Sequence, residues 1–291
     1  MTTKKVTILT GDPTVIPIAE MQLNPLGIEE MMEWVATHRP ECLPEDTSNW
    51  QALFPHDLTD KGRPLTANEL LVELCGRKCY DSFGLKAGKK ENAEYIKNTQ
   101  ESDPPHASIM YSAKMTFFLA GISRRVSHEL IRNYVGADRD FEGSPSQEST
   151  RFTHHYGFFI APPRYLTSGE SCSSTEIQGR NMLDFFANAM QRSYDKYLEA
   201  VDRECAMYEG DNGRPPTGMA KKRIYEAASS FLPHQAETSL IWTTNPIAAA
   251  KFFKERENPA ADLEMQRLAR TWRRVCVDRW PNLFPQPWML K

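Results

Sequence analysis

The sequence predicts an α+β fold, a single domain with a mixed sheet and flanking helices, and three observations carry that prediction. Strand-like runs, AKMTFFLAG (113–121), YGFFIAPPRYL (156–166) and AETSLIWTTN (236–245), alternate with stretches whose apolar residues recur every three to four positions. At 291 residues the chain is long enough to bury a large core. No internal repeat and no low-complexity linker divides it.

Taken in order, KVTILT alternates like a first strand and Gly11-Asp12-Pro13 ends it. Residues 15–66, rich in Pro, Trp and acidic side chains, have no clear period and predict irregular structure with one helix near 28–37. Leu70, Leu71, Leu74 and Cys75 give the buried stripe of a helix over 67–80, and ENAEYIKNTQ predicts another short helix. The run 113–121 is a strand closed by Gly121. After it, Ile122, Val126, Leu130 and Tyr134 recur every four residues and predict a helix packed on that sheet. Its other face carries Arg124, Arg125, His128, Glu129 and Arg132. Residues 135–148 are loop by composition, and Pro162 and Pro163 stop the next strand. A long helix over 175–208, a loop over EGDNGRPPTGM and a helix over 219–231 follow. Asn245-Pro246 pairs an N-cap with proline at the first helical position, and Asn258-Pro259 repeats that start signal for a final helix lined by Leu268, Trp272, Val275 and Cys276.

Hydrophobic content of 40%, charged content of 25% and a net charge of −3 describe an ordinary globular chain. They give no whole-surface attraction to nucleic acid or to an anionic membrane, so neither is expected as a partner and any basic function is local. The six cysteines (Cys42, Cys75, Cys79, Cys172, Cys205, Cys276) are scattered, and the one close pair, Cys75 and Cys79, sits on a helix without a second pair to complete a zinc site. Free thiols in a reducing compartment follow. With no signal-peptide stretch in MTTKKVTILTGDP and no run of transmembrane length, a cytoplasmic location is expected.

Chemistry concentrates in SPSQESTRF. Ser149, Thr150 and Arg151 suit a grip on an anion, most simply a phosphate, with Gln147 and Glu148 addressing something beside it; the plain alternative is a wet loop. Arg125, Glu129 and Arg132 share a helix face by 3–4 spacing, and Lys251, Arg256 and Glu264 gather near KFFKERENPAADLE. A solvated helix face is the plain reading of those charges. His128 on that face reads as a base or as a surface histidine. His154 and His155 point to opposite faces of a strand and cannot chelate one metal, so no metal site is expected. No GxGxxG, P-loop or GxSxG occurs, against the common dinucleotide, NTPase and hydrolase scaffolds.

Read together, these segments resemble the flavin-dependent thymidylate synthases. ELLVELCGRKCYDSF and NAEYIKNTQESDPPHASIMYSAKMTFFLAGISRRVSHELIRNY look like that family's N-terminal half, with its H-x-S-x-x-E-H, T-F-x-x-x-G-x-S-R and Q-L-x-R-H-R patterns. SQESTRF looks like N-E-x-S-x-R-Y, and WTTNPIAAAKFFKERENPAADLEMQ resembles W-T-x-N…F-x-x-L-R…A-Q-x-E. The resemblance covers most of 67–165 and 219–284 and leaves 1–66 as an extension without a match. Departures are specific. The Arg-His-Arg triplet reads Arg132-Asn133-Tyr134, and the stretch before Ser149 is longer than in the family pattern. The Glu-His pair is Tyr111-Ser112, the Gln is Glu129, an Arg before the Leu-Pro pair is Ser229, the expected Asn is Lys251, and Ala-Gln reads Ala261-Asp262.

The resemblance implies a flavin-dependent thymidylate synthase-like fold and C5-methylation of a pyrimidine deoxynucleotide monophosphate, dUMP to dTMP. FAD would be the cofactor and NADPH and methylenetetrahydrofolate the co-substrates, in a homotetramer whose sites form between subunits. It implies substrate binding by Glu129, Arg132, Gln147, Ser149, Thr150, Arg151 and Arg256, with Arg256 and Ser149 catalytic. Cofactor binding falls to Ser112, Arg132, Asn133, Tyr134, Glu148, Asn245 and Lys251. Glu129 opens an alternative. A carboxylate only accepts hydrogen bonds unless protonated, which suits the exocyclic amine of cytosine, so a dCMP substrate or a hydroxymethyl product stays open; otherwise Glu129 pairs with Arg125 or Arg132 on its own helix. A non-catalytic nucleotide-binding paralogue is the remaining alternative.

Overall fold

The computed structural model describes residues 5–43, 49–83, 88, 90–102, 106–134, 143–153, 159–163 and 182–284, with the backbone alone for Cys42, Asn133 and Tyr134. Its architecture is mixed helix and sheet, as the sequence predicts. The described elements are β1 (Thr7–Ile8), β2 (Thr14–Glu20), α1 (Pro25–His38), β3 (Thr59–Asp60), β4 (Arg63–Pro64), α2 (Ala67–Cys79), α3 (Asn92–Glu101), β5 (Met115–Ser123) and α4 (Arg124–Tyr134). Then come β6 (Gly143–Gln147), β7 (Phe159–Ile160), α5 (Met182–Asn212), α6 (Gly218–Ala228), β8 (Glu237–Thr244), α7 (Pro246–Arg256) and α8 (Leu263–Arg279).

The main sheet runs β2-β5-β8-β6, every neighbour antiparallel. Alternation along β5 sorts its side chains: Met115, Phe117 and Leu119 have no exposure and face the helices, while Thr116, Phe118 and Ala120 fall on the other face. Phe117 and Trp242 meet Trp272 of α8 at ring-centroid distances of 5.1 and 6.4 Å, edge to face, and this aromatic cluster anchors α7 and α8 on the sheet. A second apolar cluster joins α1 to α2 through Met32, Val35, Leu70 and Leu74, and a third joins β7 to α5 and α6 through Ile160, Tyr194, Tyr197 and Tyr225.

Between the first two clusters lies a buried polar network. Glu73 accepts from His56 Nε2 (2.9 Å), Arg77 Nε (2.7 Å) and Asn92 Nδ2 (2.7 Å). Glu69 closes a capping box with Thr66 and also accepts from Arg63 and from the Asn282 backbone N–H. Asn282 Nδ2 donates to Asn92 Oδ1 at 2.8 Å, so the network ties α2 and α3 to the turn after α8. Arg77 lies 4.5 Å from the Tyr95 ring centroid, and burial pushes the Tyr95 hydroxyl up to about 12.

Several boundaries correct the sequence reading. β2 lies within the stretch read as irregular; Pro17, which cannot donate to a ladder, disguised a strand that the sheet places at its edge, with a bulge between Pro17 and Ala19. Residues 143–147, read as loop, form β6, because its backbone pairs with β8 although its side chains carry no strand pattern. Gly121 does not close its strand. It takes φ +73 inside a register shift between Leu119 and Ile122, and β5 runs on to Ser123, so Ile122 packs from the strand and not from the helix. α5 continues through Asn212 to Gly213, whose φ of +64 suits a helix end. The final helix is capped by Asp262, whose Oδ1 accepts from the Glu264 and Met265 N–H groups at 3.0 and 3.3 Å; Asn258 turns the chain ahead of it by accepting from Ala260 N–H. Of the strand read at 156–166 the described part is β7, and His154, His155, Cys172 and the helix start at 175–181 lie outside the described residues.

Candidate functional site

The site is built around the junction where β5 becomes α4. Glu264, 2% exposed at the start of α8, accepts from Ser123 N–H (2.7 Å) and Ser123 Oγ (2.9 Å). Arg125 forks onto Asp262 at 3.0 and 2.9 Å and reaches Glu264 at 3.3 Å. Burial alone would raise the Asp262 carboxyl, but the Arg125 fork and the Met265 and Glu264 N–H groups outweigh it and hold it below the usual range. Arg125 and Glu264 therefore set the first turn of α4 against α8. Of the three charged residues that the spacing sets on one face of α4, Arg125 is engaged by α8 and Glu129 by Arg256 at the end of α7.

On the other side of that turn, Gln147 Nε2 donates to Ser127 Oγ (2.8 Å) and Thr238 Oγ1 (3.0 Å), and Arg124 donates to the Glu148 carbonyl (3.1 Å). The end of β6 is thereby fixed beside α4. An open cleft of about 250 Å³ lies here, lined by Arg124, Ser127, His128, Ile131, Gln147 and His234. Among the described residues, Arg124 Nε and Gln235 Nε2 are buried without a hydrogen-bond partner. Burial depresses the Arg124 guanidinium, with Glu148 and Glu237 opposing. Arg124, which lines the cleft with an orphaned donor, fits a group rich in acceptor oxygens.

Glu129 reaches across to another helix. Its Oε1 pairs with Arg256 Nη1 at 2.9 Å, a bridge from α4 to the end of α7 with side chains 31% and 20% exposed. The stretch after β6 is a tight turn. Ser149 Oγ accepts from Arg151 N–H (3.3 Å), its carbonyl accepts from Thr153 N–H (3.1 Å), and Thr150 sits half-buried between them. Arg151 pairs with Glu226 of α6 at 3.1 Å, both about half-exposed.

The structure thus brings Glu129 to Arg256 and places Gln147, Glu148, Ser149, Thr150 and Arg151 on one strand end and turn. Others are occupied locally. Asn245 is buried and caps α7 by accepting from Ala248 N–H at 2.9 Å, and Ser112 Oγ donates to the Ile109 carbonyl at 2.7 Å. Lys251 is half-buried on α7, Arg132 is exposed on α4, and the side chains of Asn133 and Tyr134 lie outside the described residues. Sequence reasoning missed Ser127, His234 and Gln235. The first is an ordinary serine in a helix and the other two follow a Leu-Pro turn, so only the tertiary contact reveals them. Among the described residues no group of three or more His, Cys, Asp or Glu side chains is placed to hold a metal ion, and no helix is long and apolar enough to cross a membrane.

Comparison with known proteins matches residues 64–282 to the family model described as thymidylate synthase complementing protein. The chain is 29% identical over 218 residues to a protein of Corynebacterium aurimucosum named flavin-dependent thymidylate synthase, covering 75% of this chain and 79% of that one. Proteins of the same name from Mycolicibacterium vanbaalenii and Mycobacterium avium are each 32% identical over 216 and 215 residues, covering 74% of this chain and 77% of theirs.

Proposed function

Since the chain belongs to the thymidylate synthase complementing protein family and is an enzyme of the flavin-dependent thymidylate synthase type, we propose that it methylates C5 of dUMP, with FAD as cofactor and NADPH and methylenetetrahydrofolate as co-substrates. The observation that carries this reading is the Glu129–Arg256 pair. Two residues expected on the nucleotide side, from helices far apart in the sequence, meet at 2.9 Å with part of each still open to solvent.

The roles follow from the chemistry of the side chains. Glu129 holds the Arg256 guanidinium in place, and a fixed cation beside the base stabilises the negative charge that develops on the ring as C5 attacks. Ser149 and Arg151 take the phosphate, with Thr150 in the same turn, Gln147 orients the strand end, and Arg132 serves both nucleotide and cofactor. The orphaned donors Arg124 Nε and Gln235 Nε2 suit the acceptor oxygens of a flavin nucleotide, and Glu148 and Lys251 are assigned to the cofactor by the resemblance. Asn245 and Ser112, assigned to the cofactor by the resemblance, act through the backbone they bond, at the start of α7 and before β5. Bound flavin supplies the hydride that reduces the transferred one-carbon unit.

The exposed face of the main sheet supports self-association. Ile16, Phe118 and Ile241 stand in one cross-strand row, and Ile16 and Ile241 are 47% and 41% exposed, with Ile18 nearby at 49%. We take the chain as one domain that assembles into a homotetramer through such faces; a monomer in light scattering at micromolar concentration would contradict the assembly.

A panel of dUMP, dCMP, dTMP and UMP, titrated with and without FAD and followed by turnover of methylenetetrahydrofolate, tests the reading. Flavin absorbance that fails to follow the protein even with nucleotide present sinks it. Glu129 also favours a second reading. Its carboxylate, paired with Arg256 and 31% exposed, keeps part of its surface open, and an acceptor there suits a cytosine amine. Glu129→Gln then shifts preference from dCMP toward dUMP; if Glu129 only positions Arg256, affinity for both falls together.

A further inference from the structure

Gln147 forms part of the wall of the cleft beside α4, and two hydroxyls decide which way its amide faces. Its backbone is fixed by β8: Gln147 pairs with Leu240, and the next N–H, of Glu148, donates to the Ser239 carbonyl at 3.1 Å. Its side chain is held from two elements, because Nε2 donates to Ser127 Oγ of α4 at 2.8 Å and to Thr238 Oγ1 of β8 at 3.0 Å. Half a turn of the amide would exchange nitrogen for oxygen, and the surrounding hydrogen bonds decide against it. Ser127 has one hydroxyl proton and donates it to the Arg124 carbonyl at 3.1 Å. A carbonyl only accepts, so the Ser127 oxygen is left with lone pairs and requires a donor in front of it. Both amide hydrogens of Gln147 are thereby used on the protein. Oε1 has no partner among the described residues and is left to the cleft. Ser127 and Thr238 are 1% and 0% exposed, so neither hydroxyl can turn away to water. A half-buried glutamine at a strand end would otherwise keep its rotamer freedom and a hydrated amide.

We infer that Ser127 and Thr238 are positioning residues that act through Gln147: they present its Oε1 as a fixed acceptor, which selects a nucleotide carrying a hydrogen-bond donor at that point. The inference rests on the reading that sets Gln147 on the nucleotide side. Arg124, the cation of the same cleft, can only donate, so Gln147 supplies the opposite polarity. A pyrimidine deoxynucleotide offers that chemistry from two places, the imide N3–H of the base and the 3′-hydroxyl of the sugar.

The full-length protein with FAD is titrated calorimetrically with dUMP, with its N3-methylated analogue and with the 2′,3′-dideoxy analogue. The proteins compared are wild type, Ser127→Ala/Thr238→Val, Gln147→Ala and the triple variant. The double variant should lose about tenfold in dUMP affinity, since its amide is free to turn its nitrogen to the cleft. If the imide is the donor, the methylated analogue binds wild type and variant alike; if the sugar hydroxyl is, the dideoxy analogue does. Gln147→Ala should show the same loss and the triple variant no further one, because hydroxyls that act only through Gln147 have nothing left to orient. Ser127→Thr, which keeps a hydroxyl, should retain the affinity. Where loss of two buried hydroxyls impairs folding, Gln147→Ala alone carries the test through the same contrast between dUMP and its analogues. Unchanged dUMP affinity, an equal loss for all three ligands, or a further loss in the triple variant overturns the inference and leaves the function reading intact. Wild-type protein that binds none of the three overturns both.

Discussion

The Glu73–Arg77 and Glu129–Arg256 pairs use the same two side chains for opposite ends. Glu73 and Arg77 are without exposure, and the carboxylate also takes bonds from His56 and Asn92. Glu129 and Arg256 join two helices at the surface and keep part of their area open. A charge moved out of water is tolerable only when its hydrogen bonds are filled, so the first pair belongs to the fold. A pair left partly in solvent gains little stability from its Coulomb attraction, so its worth must lie in what it can meet.

The largest effect expected from this contrast is Glu73→Ala, which strands Arg77 and His56 in the core and should cost about 3–5 kcal/mol in urea unfolding. A loss below about 1 kcal/mol would mean that water reaches the network and that the two pairs are alike. Arg256→Ala should instead leave unfolding within about 1 kcal/mol of wild type while weakening nucleotide binding by about 2–3 kcal/mol in calorimetry. A large melting shift with unchanged binding would reverse the assignment. Ser149→Ala removes one neutral donor from the turn and should cost about 1 kcal/mol of binding.

The smallest effect concerns pH. Burial raises the Glu237 carboxyl, with the Gly121 N–H bond opposing and Glu148 adding to the rise. A raised folded pKa gives stability that is present below the unfolded pKa and lost as pH rises through the folded one. Glu237→Gln, whose amide oxygen can still accept from Gly121, should therefore be modestly more stable than wild type at pH 7, the gain vanishing below about pH 4. Asp262, held low by Arg125 against burial, behaves oppositely: its contribution stands above the ordinary carboxyl range and fades as acid is added. Melting curves of Glu237→Gln and Asp262→Asn across pH should diverge in sign.

Much of the fold was legible where side chains carried the period. β5 and β8 alternate, α2 shows its stripe, and Asn245-Pro246 starts α7 as its chemistry demands. What stayed hidden was held by the backbone. Pro17 interrupts the pattern of β2, and Gly143–Gln147 has no pattern at all, because an edge strand takes its shape from its neighbour's hydrogen bonds. The candidate site divides the same way. Residue types suited to an anion marked Ser149, Arg151 and Arg256, but the partner of Glu129 could not be read along its helix, and the orphaned Gln235 amide has no signature short of the folded chain.

The place of β2 bears on how the protein can be handled. The family match begins at residue 64, yet the strand that covers one side of β5 is Thr14–Glu20, and Glu20 also receives the Trp280 indole N–H at 2.5 Å. A version trimmed to the matched region would bare a long apolar strand, MTFFLAGIS, along its whole hydrogen-bonding edge, which is a template for copy-to-copy strand addition and insoluble material. The residues without family likeness act as the guard on that edge.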